Sequence, residues 1–184
     1  MTTKSTGYLE EARLSFREYK LLGERAFEQL HPEDWLRQID PESNSIAAIV
    51  KHMAGNMKSR WTDFLSSDGE KADRNRDQEF VLDHSTTPEH VLAWWNAGWQ
   101  CVFDAVDPLT EEDLLRRVRI RGQEYTVLQG ISRQIKHYCY HIGQIVFLAK
   151  HFRGADFKSL SIPKGKSTEL GVDMEVDRYK PWGV

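Results

Sequence analysis

At 184 residues and 40% hydrophobic content, the chain is long enough for one domain with an apolar core and short for two. Its 25 Lys and Arg against 28 Asp and Glu leave a formal net charge of -3 and a pI near 6.2, which argues against a surface built for nucleic acid. No apolar run reaches the roughly 20 residues that span a bilayer, and Met1 to Tyr8 lacks the apolar stretch of a secretory signal, so the expectation is a cytoplasmic protein with no membrane partner.

Four segments carry helical periodicity. The first runs from about Tyr8 to Leu30, mixing Leu9, Leu14, Phe16, Leu21, Leu22, Ala26, Phe27 and Leu30 with charged residues, until His31 and Pro32 end it. The second starts near Ser43, Asn44 or Ser45, all good N-caps. It spaces Ile46, Ile49, Val50, Met53, Met57, Trp61 and Phe64 for one buried face and ends near Ser66. From Ser67 to Ser85 the chain is polar and aperiodic. A loop of that length is uncommon in a compact domain and is expected at the surface, covering something.

The third helix follows Thr87 and Pro88, a cap and a proline suited to the first helical position, with Leu92, Trp95, Trp99, Val102, Phe103 and Val106 on one face. It stops before Asp107 and Pro108. A helical turn, Thr110 to Leu115, then leads into VRIRGQEYTV, where Val118 and Ile120 alternate with arginines and Tyr125 and Val127 resume the alternation. This predicts a small hairpin turning at Gly122 and Gln123.

The fourth helix, about Val127 to Phe152, carries Ile131, Ile135, Tyr138, Ile142, Ile145, Ala149 and Phe152 at spacings of four and three, the seam of a bundle helix. The expected fold is all-α: a four-helix bundle over about residues 8–152 with a β-hairpin before its last helix. An irregular tail over 153–184 completes one domain spanning 1–184. Cys101 and Cys139 form no paired motif and are expected to be small buried hydrophobes.

The sharpest chemical signal is HYCYH. His137 and His141 lie four apart, so their side chains stack about 5 to 6 Å apart on one helical face and can chelate one metal ion. Cys139 lies roughly 200° around the helix and points away. A third ligand has to come from another helix, and His52 borders the second helix's buried stripe just as His137 and His141 border the fourth's. With seven histidines in the chain, one pair at this spacing also arises by chance, so ordinary hydrogen-bonded histidines stay open beside a metal site. His31, His84, His90 and His151 sit at helix ends and are expected to be structural or exposed.

NSIAAIVKHMAGNM on the second helix, the hairpin-like YTV and KHYCYHIGQI on the fourth together resemble the DinB-like superfamily. That superfamily includes bacillithiol-S-transferases, mycothiol-dependent isomerases and many uncharacterised hydrolase-like proteins. The resemblance covers about residues 8–152, and Leu160 to Ser167, LSIPKGKS, resembles one uncharacterised branch of it. It implies an up-down-down-up bundle, one divalent zinc or nickel ion on His52, His137 and His141, and a homodimer.

Three imidazoles leave a coordination position open, as catalytic sites do. The expected function is metal-dependent hydrolysis or thiol (S-)transfer on a small molecule, with a low-molecular-weight thiol as one candidate partner. Asn56, one turn beyond His52, and Gln134 and Gln144, each three residues from a ligand, are candidates for orienting substrate or water. A different class also fits. The six tryptophans suit a non-catalytic ligand-binding or dimerising bundle whose metal only steadies the fold.

Overall fold

A computed structural model describes residues 7–165. The expectations for the tail beyond Gly165, including the end of LSIPKGKS, lie outside the described residues. The fold is mostly helical, with four long helices and one two-stranded antiparallel hairpin before the last of them. Among the described residues no helix is long and apolar enough to cross a membrane.

Helix α1 spans Tyr8–Phe27 and ends three residues earlier than its periodicity predicts. The amides of Gln29 and Leu30 bond back to Ala26 and Phe27, a tighter turn that closes the helix before His31. His31 then opens a 3-10 turn, Pro32–Trp35, with its amide donating to Asp34 Oδ2 at 2.9 Å, so its capping role belongs to the following element. Helix α2, Ile46–Trp61, starts at Ser45, whose hydroxyl accepts the amide of Ala48. It ends short of Ser66 because Thr62 turns extended and Asp63 adopts a left-handed φ of 50°.

Helix α3, Pro88–Val106, is capped by Thr87 as expected. Its buried stripe is Val91, Trp95, Trp99, Val102 and Val106; Val91 takes the place expected of Leu92, which is exposed. Helix α4, Val127–Arg153, is opened by a reciprocal cap in which Thr126 accepts from Gln129 N–H and Gln129 Oε1 accepts from Thr126 N–H. Ile131, Tyr138, Ile142, Ile145 and Ala149 of its predicted seam are buried, and Ile135 and Phe152 pack against the same core.

All four helices share one core, with α2 packed along α3, α1 along α4, and α2 meeting α4. Aromatic rings fill its centre. Phe16 of α1 meets Trp61, Trp99 and Tyr138 from the other three helices at centroid distances of 5.8, 6.3 and 5.9 Å. Cys101 is half-buried and Cys139 is exposed, so the expectation of two buried thiols fails at Cys139, which lies on the outer side of α4.

Strands β1, Arg117–Ile120, and β2, Gln123–Thr126, pair in a register that matches Ile120 with Gln123. The turn residues are therefore Arg121 and Gly122, one position earlier than predicted. Both have positive φ, 57° and 74°, which a primed two-residue turn requires and which a non-glycine residue adopts only when held. Asp68 does the holding: its carboxylate accepts the amides of Arg121 at 2.8 Å and Gly122 at 2.7 Å. The amide of Gly69 adds a bond to Arg119 O at 2.8 Å, so the segment after α2 is stitched to the hairpin before α4.

Candidate metal centre

Helix α2 brings His52 inward from a stripe of Ile49, Met53 and Met57, and α4 presents His137 and His141 one turn apart. The ring of His52 lies 5.5 Å from that of His137 and 5.0 Å from that of His141, and the latter two are 4.7 Å apart. One ligand-type atom from each histidine lies within 4.8 Å of the others. Nitrogens around a tetrahedral zinc stand about 3.3 Å apart, given Zn–N bonds of about 2.0 Å. The three side chains are thus gathered close enough to hold a metal ion.

Hydrogen bonding fixes which nitrogens are free. Nδ1 of His52 donates to Glu79 Oε2 at 2.8 Å, because a carboxylate only accepts; Nε2 is left with the lone pair. Nδ1 of His141 donates to Gln144 Oε1 at 2.8 Å, leaving Nε2 in the same state. Nε2 of His137 faces Nε2 of His141 at 3.1 Å. If His137 donates across that gap, its buried Nδ1 becomes an acceptor with no partner; if it does not, two lone pairs confront each other. A cation accepting both Nε2 lone pairs removes their repulsion and leaves the His137 proton on Nδ1, so the donor set fits a divalent metal.

Electrostatics agrees. Burial first, then the charges of His141, His52, Arg60 and Arg74, hold His137 down at about 3. Burial likewise holds His141 at about 4, against the bond to Gln144 and with help from His52 and Arg76. Both rings are neutral at neutral pH, the state that ligates.

The 67–85 segment covers the site, though not as an irregular surface loop. It contains a 3-10 turn, Asp77–Phe80, that packs on α2. Phe80 stacks on the His52 ring at 4.7 Å, and Glu79 is buried between His52 and Arg74. Arg74 grips Glu79 with two bonds of 2.7 and 2.9 Å and reaches Glu70 at 3.2 Å. Burial by itself raises the Glu79 carboxyl, but the bonds from His52 and Arg74 and the Arg74 charge outweigh it and hold it below the ordinary range. Ionised Glu79 holds the His52 ring in the way that carboxylates orient metal-ligating histidines.

A cleft of about 710 Å³ opens beside these residues and is lined by His52 and His137. Of the predicted polar residues, Asn56 and Gln134 stand in its wall, whereas Gln144 stands outside it and bonds His141 and Tyr140. The Asn56 carbonyl accepts from Tyr138 Oη at 3.3 Å, which turns its amide N–H groups free of that contact. Gln134 is buried with Oε1 unpartnered. His31, His84, His90 and His151 are exposed and take no part.

The family pattern described as a protein of unknown function, DUF1572, matches residues 3–166. The chain belongs to that family. No curated protein matches it.

Sequence reasoning missed Glu79 and Arg74. The length of the 67–85 segment was one signal that bore on them. Gly55 was a second, unread signal: a Cβ there would stand 2.7 Å from the Glu79 carboxyl carbon, so α2 needs a glycine for the carboxylate to approach.

Proposed function

We propose that the chain is a metal-dependent enzyme of the DinB-like kind, a hydrolase or thiol (S-)transferase acting on a small molecule. One zinc or nickel ion would be held by His52, His137 and His141. The observation that carries this reading is the convergence of three imidazoles, two of them held neutral, beside a cleft whose wall includes His52 and His137. A divalent ion bound by three protein ligands supplies an open position that activates water or a thiol. Glu79 orients His52, Gln144 orients His141, and Asn56 and Gln134 offer polar groups to whatever enters the cleft. Four helices on one core, with the ligands on α2 and α4, support the up-down-down-up bundle that the resemblance implies.

The test is metal content followed by turnover. Purified protein is expected to carry one zinc or nickel ion per chain by plasma mass spectrometry, and His137→Ala to lose it. Reconstituted protein is expected to turn over at least one member of a panel of thiol-transfer and ester or amide hydrolysis substrates faster than metal-free protein. No stoichiometric metal after reconstitution overturns the centre; stoichiometric metal with no turnover moves the reading to a ligand-binding module.

A further inference from the structure

The walls of the cleft are charged against the rest of the molecule. The chain carries a net charge of -3, yet the residues lining this cleft include Arg60, Arg74, Arg76, Arg121, Arg133 and Lys136 and not one carboxylate. Two acids stand behind this wall and account for part of it. Glu79 and Glu70 pair with Arg74, and Glu70 also reaches Arg121 at 3.2 Å and Arg60 at 3.5 Å. Arg76, Arg133 and Lys136 have no carboxylate partner among the described residues; Arg76 lies over the Phe80 ring at 5.7 Å.

Arg60 is the most telling of the set. It is only 3% exposed, Glu70 touches it at the limit of a hydrogen bond, and its Nε and Nη1 have no partner among the described residues. An incompletely paired guanidinium in that position is destabilising unless negative charge arrives nearby. Gln134, 2% exposed, lines the same wall with Oε1 unpartnered, an acceptor that a donor group of a bound molecule would satisfy and its anionic group would not. Cations gathered in one concave wall focus a positive field there. The volume of about 710 Å³ suits a small molecule.

We infer that the cleft beside the three histidines binds small molecules bearing a carboxylate or phosphate group. Arg133 and Lys136 on α4 and Arg76 on the covering segment face that anion, while the rest of the molecule lies toward His52 and His137. As an assignment of substrate class this rests on the metal-centre reading above; as an anion site it stands on the cleft alone.

Two probes, malonate for the carboxylate and inorganic phosphate for the phosphate, are titrated calorimetrically into zinc-loaded and metal-free protein at constant ionic strength. At least one is expected to bind saturably, and the double variant Arg133→Gln/Lys136→Gln to weaken it tenfold or more with zinc content and melting temperature unchanged. Arg117→Gln, which removes an exposed arginine from β1 outside the cleft, is expected to bind like the wild type. Absence of saturable binding by both probes, or equal binding by the double variant and the wild type, overturns the inference. Anion binding that the double variant loses in a protein that never takes up zinc removes the metal centre and leaves the anion site in place.

Discussion

Glu79 decides how His52 presents itself. Held by Arg74 through two bonds, the carboxylate accepts the Nδ1–H hydrogen bond and fixes the ring with Nε2 inward. Replacing a group that orients a metal ligand lowers metal affinity about 10- to 100-fold in comparable sites. Glu79→Gln keeps the shape but leaves Arg74 without its ionised partner, so a loss of that size is expected in a chelator-competition titration; unchanged affinity would show that Glu79 serves only the loop. The histidines themselves set a pH dependence. An unfolded chain protonates His137 and His141 near the ordinary value of 6.5, but the folded chain refuses the proton down to about 3 and 4. Between those limits the unfolded state binds more protons, so the stability these groups contribute is complete above 6.5 and is lost as the pH falls through the window. The melting temperature of metal-free protein is expected to drop between pH 7 and 5, and that of His137→Gln/His141→Gln to drop less steeply. Parallel slopes would contradict the neutral, desolvated state of the pair.

At the scale of elements, α2 carries a glycine where helix propensity alone favours alanine by about 1 kcal/mol. Gly55→Ala therefore separates two effects. The helix gains propensity, while the new Cβ meets the Glu79 carboxyl and displaces it from His52. Zinc affinity is expected to fall several-fold with the metal-free melting temperature unchanged or slightly raised; a variant that binds zinc normally would mean that Glu79 shifts without consequence. The same elements show what was legible beforehand. The seams of α2 and α4 were readable because burial repeats with the helical period, and that period also put His137 and His141 on one face. His52 was readable as a neighbour of Met53, but its meeting with the other two needed the packing of α2 on α4. Glu79 was not readable, since nothing periodic marks a short 3-10 turn and its burial comes from Arg74 and His52, five and 27 residues away. The hairpin turn was misplaced by one residue for a like reason. Local preference favours glycine for positive φ, and the support for Arg121 comes from Asp68, 53 residues earlier. Asp68→Ala removes the acceptor of the Arg121, Gly122 and Glu70 amides. With bonds to a charged acceptor contributing about 1.5–3 kcal/mol each and water replacing part of that at this exposed site, a net loss of about 2 kcal/mol is expected in denaturant unfolding. No measurable loss would mean that the hairpin holds its turn alone.

Across the whole molecule, the three histidines bring together α2, the covering segment and α4. His52 belongs to α2 and is fastened to the covering segment by Glu79; His137 and His141 belong to α4; and Asp68 ties that segment to the hairpin that leads into α4. A metal ion bound there would close a ring running from α2 through the segment and hairpin to α4 and back. Ligand that binds only the folded state stabilises it by about 2.7 kcal/mol at a hundredfold excess over its dissociation constant. For a chain of this size each kcal/mol moves the melting temperature by about 2–4 °C, so zinc at that excess is expected to raise it by about 5–10 °C. Chelation should reverse the rise, and His137→Ala should abolish it. Because the ring passes through the segment after α2, amide exchange is expected to slow there and around the ligands on α2 and α4. The first turn of α1, which carries no ligand and meets α4 at Leu128 and Ser132, more than a helical turn before His137, should exchange as before. A zinc-induced rise that His137→Ala retains, or protection spread evenly over all four helices, would place the ion somewhere other than between α2 and α4.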